Sequence, residues 1–247
     1  MSKKVALFWP GDYREKPNEL ALPLAQEATR QVSAALKRLG REPYVVEGFL
    51  TKPHEAIEKL GHIDDPMIGL FVHWVYGPHT VDGVVGKDNP LLLASNFQGI
   101  FPGLVGLLNT GACLESVGRS ASRVWTGSAD WTADGLFMER LDEWCSSGCI
   151  HYPTAELSYS APVDPRALQI ALEVAREIRE RRILVLMLGD TSMGMINGYF
   201  GHRVLVRHGF TEHKVDQAWL PARMREIDRD RVEAAFDFVR RHGVNFH

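Results

Sequence analysis

Short apolar runs bounded by turn residues alternate along this chain with longer stretches whose apolar positions recur at three and four residues. Those are the periods of buried strands and of amphipathic helices. Val5 to Trp9 reads as a first strand, closed by the turn signal Pro10-Gly11. A polar loop from Asp12 to Asn18 leads into a long helix with Ala25, Ala28, Val32, Ala35, Leu36 and Leu39 on one face and Gly40 as its stop. Tyr44 to Val46 follows as a strand, His54 to Leu60 as a short helix behind Pro53, Met67 to Tyr76 as a third strand and Leu91 to Ala94 as a fourth. Pro102 to Val117 has helical spacing, although Gly103, Gly106 and Gly111 each weaken a helix there by about 1 kcal/mol relative to Ala. Ser122 to Thr126 is the fifth strand, Leu136 to Trp144 a helix, and Cys145 to Tyr159 a mixed, loop-like stretch.

Asp164-Pro165 supplies a cap residue and a proline at the first helical position, opening a helix with Leu168, Ala171, Leu172, Ala175 and Ile178 facing inward. The next six residues, Ile183 to Leu188, are continuously apolar, which predicts a strand buried on both faces. Gly189 ends that run. Asp190, Thr191 and Ser192 are N-cap residues for a helix starting over Met193 to Tyr199 and running towards His208-Gly209. Lys214 to Asp216 reads as a short strand, and Asp228 to His242 as a closing helix with Val232, Ala235, Phe236 and Val239 inward. Strand and helix alternate throughout, so the expected class is α/β. Residues 1–181 read as a Rossmann-like three-layer domain on a parallel sheet, and 182–247 as the start of a second α/β domain that stays incomplete.

At 247 residues the chain can bury a sizeable core. Its 28 Lys and Arg against 31 Asp and Glu leave a formal charge of −3, which offers no electrostatic attraction to nucleic acid or an anionic membrane. No apolar run reaches the length of a membrane span, and the opening apolar stretch stops at Trp9-Pro10, too early for a signal peptide. Three cysteines suit a reducing compartment better than a disulfide framework. A cytoplasmic protein is the expectation.

Few patterns carry chemistry. Cys145, Cys149 and His151 fall within seven residues, but a structural zinc site needs four ligands and no fourth is adjacent, so they read as free thiols and an imidazole. The segment Asp190-Thr-Ser-Met-Gly194 lacks the first glycine of a nucleophile elbow, and there is no phosphate-cradling glycine motif. The turn at Asp190, Ser192 and Met193, between strand and helix, is a place where α/β proteins put ligands, and equally a place for a plain cap. Two polar or aromatic strand ends remain. Asp12-Tyr13-Arg14 offers a guanidinium fork for hydroxyl or carboxylate oxygens, or else a solvated loop charge. The run Val72-His-Trp-Val-Tyr-Gly-Pro-His79 offers an indole face, that of Trp74, beside His and Tyr rings, suited to the apolar face of a sugar, or else a core or interface aromatic.

In order along the chain, three stretches resemble the L-fucose isomerase family, whose wider group includes L-arabinose isomerases. They are Pro10 to Arg14; Trp74-Val-Tyr-Gly77 with Thr80 and the Pro102-Gly103 helix start; and Leu188-Gly-Asp-Thr-Ser-Met-Gly194 with Phe210, Val215, Asp216 and the helix ending Gly243-Val-Asn-Phe246. Residues 127–162 match poorly. The resemblance implies an aldose–ketose isomerase that uses Mn2+ and moves a proton through an enediol, assembled as a hexamer from subunits with two Rossmann-like N-terminal domains. It places the Glu, Asp and His metal ligands beyond the point matching His247, so no catalytic residue and no metal ligand is expected in this chain, which alone would be inactive. It also implies that Arg14 and Trp74 bind the sugar in a neighbouring subunit's site, with Tyr76, Asp190, Ser192 and Met193 near the pocket or its turns. The sugar itself is not specified. The alternative is a non-enzymatic sugar-binding or regulatory protein of two α/β lobes.

Overall fold

A computed structural model describes residues 2–97, 103–152, 163–189 and 195–245. The chain forms two compact units. One comprises residues 1–160 with 191–199, and the other 161–190 with 200–247.

The first unit runs β1 (Lys4–Pro10), α1 (Glu15–Arg38), β2 (Glu42–Leu50), α2 (Pro53–Leu60), β3 (Met67–Phe71), α3 (Gly77–Val84), β4 (Leu91–Asn96), α4 (Gly103–Ser116), β5 (Ser122–Thr126) and α5 (Gly135–Ser147). Its five strands are all parallel, in the order β2-β1-β3-β4-β5. Every residue of β3 is buried, as are Val5 to Pro10 of β1 and Leu91 to Ser95 of β4. Continuous apolar runs occupy the centre because a central parallel strand is covered on both faces. Side chains alternate across the sheet with period two. Val5, Leu7, Trp9, Ile68, Leu70, Leu92 and Ala94 therefore share one core with α1 and α5, whereas Ala6, Phe8, Met67, Phe71, Leu91 and Leu93 share the other with α2, α3 and α4. The result is a Rossmann-like three-layer α/β domain.

Small residues set the fit. The small face of α1, Ala21, Ala25, Ala28 and Ala35, lies buried against the sheet. In β3, a Cβ on Gly69 would meet the Phe8 ring at 2.8 Å and the Phe71 ring at 3.1 Å, so this glycine makes room for two buried aromatics. At the sheet edge, β2 carries a bulge. Leu7 pairs with Val45 but Trp9 with Phe49, so the interval of two residues on β1 is matched by four on β2. Gly48, with φ +78°, supplies the left-handed turn within it and so sets the position of Phe49.

Several elements depart from expectation. The strand foreseen over Met67 to Tyr76 stops at Phe71, because Gly77-Pro78 starts an additional helix, α3, and the intervening residues bridge to it. β2 is longer than Tyr44 to Val46, its edge position tolerating exposed residues. The helix foreseen from Met193 towards His208 is instead a 3-10 turn, Ile196–Gly198, and a separate helix, α7 (Gly201–Arg207), divided at Gly201, where φ is +69°.

The second unit contains α6 (Pro165–Arg181), β6 (Ile183–Leu188), α7, β7 (Phe210–Val215), α8 (Trp219–Met224) and α9 (Arg229–Arg241). Asp164 caps α6 through the Arg166 N–H as anticipated. By internal contacts α6 belongs with this unit. β6 pairs in parallel with β7 over its full length. The pattern placed α6, β6 and α9, but β7 starts at Phe210 where a strand was foreseen only over Lys214 to Asp216, α8 was not foreseen, and burial in this unit was not legible. Leu184 is 64% exposed, β6 has no buried residue, and Leu168, Leu172, Val232 and Phe236 on α6 and α9 are all exposed. A sheet of two strands has too little area to bury both its faces.

Introducing a methyl group at Gly69 tests the packing of the central strand. Gly69→Ala is expected to destabilise the first unit by about 1–3 kcal/mol, the usual range for overpacking a tight core. Urea unfolding read by tryptophan fluorescence checks this, since five of the six tryptophans lie in that unit.

Candidate functional site

The order β2-β1-β3 creates a crevice. After β1 the chain turns to β2 on one side of it, and later returns to β3 on the other, so the connections leaving the carboxyl ends of β1 and β3 diverge. Ligands of open parallel sheets bind at such a reversal. The two segments singled out in the sequence, Asp12 to Arg14 and Val72 to His79, follow those two strand ends.

Asn18 joins them. Its Oδ1 accepts the Asp12 backbone N–H at 2.9 Å, and its Nδ2 donates to the Asp12 and Arg14 carbonyls at 2.7 and 3.0 Å. His73 Nε2 lies 2.9 Å from the same Oδ1. Because that oxygen can only accept, the imidazole is the donor, and its proton sits on Nε2. Nδ1 is then a bare lone pair, buried and without a partner among the described residues. His73 is 1% exposed, and burial pulls its pKa down to about 4, with the Asp12 carboxylate opposing only in part.

Asp12 is also buried. Burial by itself would raise its carboxyl, but side-chain and backbone hydrogen bonds from Arg14 outweigh that and hold it below the ordinary value. Arg14 donates from Nε to Oδ1 at 3.0 Å and from Nη2 to Oδ2 at 2.6 Å, a two-pronged pairing that holds its own guanidinium more firmly protonated. The side chain remains 53% exposed. Of the five donors of a guanidinium, two are thus committed to Asp12 and three are not. The fork expected to grip a ligand edge-on is turned onto a carboxylate of its own loop, and what faces outward is its other side.

Aromatic rings line both strand ends. Tyr13 stands edge-on to Tyr76 with centroids 5.0 Å apart, and Tyr76 lies 5.4 Å from the His79 ring. Burial, then the Asp12 charge, raise the Tyr76 phenol. Phe49, placed by the β2 bulge, meets His73 edge-on at 5.2 Å, and Trp9 lies 5.4 Å from Phe49. Trp74 is half-buried between these residues in sequence, on the loop between β3 and α3. Beside them an open cleft of about 360 Å³ is lined by Glu15, Asn18, Glu19, Leu22, Phe49 and Thr51.

Arg14, Trp74 and Tyr76 thus belong to one end of one sheet, whereas Asp190, Ser192 and Met193 lie outside the described residues. Asn18 and Phe49 were not singled out from the sequence, whereas His73 and His79 were named only as part of the run around Trp74. Asn18 had a signal: it lies four residues beyond Arg14, one helical turn, where a carboxamide reaches back to the helix start. Phe49 had none, since its contact with His73 depends on strand order and on the bulge. Among the described residues no three or more His, Cys, Asp or Glu side chains gather in a way that could hold a metal ion. No helix among them is long and apolar enough to cross a membrane.

The buried imidazole makes stability pH-dependent. With its folded pKa near 4 and its ordinary value at 6.5, His73 contributes stability that is present above pH 6.5 and is lost as pH falls towards 4. Lowering pH from 7.5 to 5 is expected to remove about 2 kcal/mol through this residue, and His73→Gln is expected to abolish that component of the slope. Urea midpoints at the two pH values measure it. Asn18→Ala is expected to cost about 2 kcal/mol or more by orphaning the Asp12 N–H and His73 Nε2.

Comparison of the chain with protein-family models and with curated proteins gives no match.

Proposed function

We propose that this chain is the N-terminal part of an aldose–ketose isomerase of the L-fucose isomerase kind, and that the carboxyl ends of β1 and β3 form a wall of its sugar site. The observation that carries the proposal is the adjacency of β1 and β3, which places Arg14 and the Trp74 loop, 60 residues apart in sequence, at the same reversal point of one sheet. Arg14 would donate from its uncommitted N–H groups to sugar hydroxyls, its plane held by Asp12, while Asp12 is held in turn by Asn18. The Trp74 indole would cover the apolar face of the ring and exclude water. Both are binding roles. A guanidinium that stays protonated and an indole cannot abstract the proton that an enediol mechanism requires.

Mn2+, which the resemblance implies, does not fit the described residues, and no step of this reading passes through it. The acid–base work and the metal are assigned to a C-terminal part, and the wall described here to a neighbouring subunit's site in a homo-oligomer. The same reading takes the protein to act on a small sugar in the cytoplasm, with no part for nucleic acid or membrane.

Steady-state kinetics of the enzyme completed by its C-terminal part test the assignment, using L-fucose and L-arabinose with manganese. Arg14→Ala and Trp74→Ala are each expected to lower kcat/KM by about tenfold or more, on the order of 1.4 kcal/mol of lost transition-state binding. Asp12→Asn is expected to do so more weakly, by freeing the Arg14 side chain. Unchanged kinetics in the first two variants would overturn the assignment. Sugar binding without turnover in the completed protein would point instead to a sugar-binding or regulatory role.

A further inference from the structure

At the far end of α5 a second constellation stands apart from the sheet crevice. Gly148, at φ +82°, ends the helix in the left-handed conformation, with its N–H on the Trp144 carbonyl. The chain then doubles back over the last turn of α5. Ile150 is buried and its N–H donates to Ser122 Oγ, which anchors the return. Cys149 and His151, on either side of that anchor, are exposed.

Their geometry is ordered. Glu143 Oε1 accepts both the His151 backbone N–H, at 2.9 Å, and His151 Nδ1, at 3.0 Å. Its Oε2 accepts from Arg140 Nη1 at 2.8 Å. The His151 backbone N–H, then Arg140 and the imidazole, pull the Glu143 carboxyl down to about 2, so it is an acceptor only. Nδ1 therefore carries the ring proton, and Nε2 presents its lone pair. That Nε2 lies 3.8 Å from Cys149 Sγ. A thiol, an imidazole and a carboxylate thus stand in the order of an activated nucleophile, its base and the group orienting the base. The other two cysteines contrast with it. Cys113 and Cys145 are buried, and burial raises both thiols, Cys145 to about 11 despite the nearby Arg41.

We infer that Cys149 is a reactive modification site which exchanges with low-molecular-weight disulfides of the glutathione type, with His151 as general base. Cys149 Sγ attacks one sulfur of the disulfide as its proton passes to His151 Nε2. A new S–S bond forms to Cys149, the small molecule's S–S bond breaks, and the departing thiolate takes the proton back from His151 and leaves as a thiol. One disulfide is consumed and one made, with no other oxidant. The site is open surface, so its role is to carry an adduct. This inference is independent of the sugar reading.

The test uses the full chain, oxidised glutathione at pH 7 and intact-mass measurement. A single glutathionyl adduct is expected, absent in Cys149→Ser. His151→Ala is expected to slow its formation by at least about tenfold, with imidazole in the buffer restoring part of the rate, and Glu143→Gln to give an intermediate rate. Matching unfolding midpoints establish that the exposed substitutions leave the fold intact. Equal rates in the wild type and His151→Ala, a slow His151→Ala rate that imidazole does not restore, or an adduct on Cys113 or Cys145 would each overturn the inference.

Discussion

The carboxamide of Asn18 holds the carboxyl end of the main sheet together. One oxygen receives a backbone N–H and an imidazole N–H, and one nitrogen serves two carbonyls, so a neutral side chain satisfies polar groups of three residues, Asp12, Arg14 and His73. The constraint behind it is severe. A loop that buries an aspartate and a histidine beside one another must supply partners for every backbone group it removes from water, at about 1–3 kcal/mol for each left unmade. Asn18 serves three of those backbone groups and His73 Nε2, while His73 Nδ1 has no partner among the described residues. From this clasp the rest follows outward: Asp12 is positioned, Asp12 orients Arg14, and His73 becomes the surface on which the Phe49 ring rests.

Two histidines in this chain show how a ring's second nitrogen is put to use. In His73 the protonated nitrogen faces an amide oxygen inside the protein, and the lone pair is enclosed, so burial keeps the ring neutral and chemically silent. In His151 the protonated nitrogen faces a carboxylate, and the lone pair points at a thiol on open surface. The same side chain is structural in one place and equipped as a base in the other. What differs is the charge of the partner and the access of solvent.

The two units also show the same sequence pattern meeting different fates. The apolar runs of β3 and β6 are alike in composition, yet β3 is wholly buried and β6 has no buried residue. β3 has a strand on each side and a helical layer on each face, whereas β6 has one neighbouring strand among the described residues. Apolar character states a capacity for burial, and the number of elements packed around a strand determines whether that capacity is used.

Most of the architecture was legible in the residue pattern, because period, caps and glycine stops are local properties. The five strands of the main sheet, the long helix after β1, and the Asp164-Pro165 helix start are written in spacings of a few residues. Burial in the second unit was not legible, since it depends on neighbours remote in sequence. The candidate site was half visible: Arg14, Trp74 and Tyr76 stand out as residue types suited to a sugar, but residue type says nothing of partners. That Arg14 turns its fork onto Asp12, that His73 locks onto Asn18, and that Phe49 reaches His73 follow from the order β2-β1-β3 and from a bulge at Gly48. Such contacts join segments separated by tens of residues, and only the folded chain brings them within reach of one another.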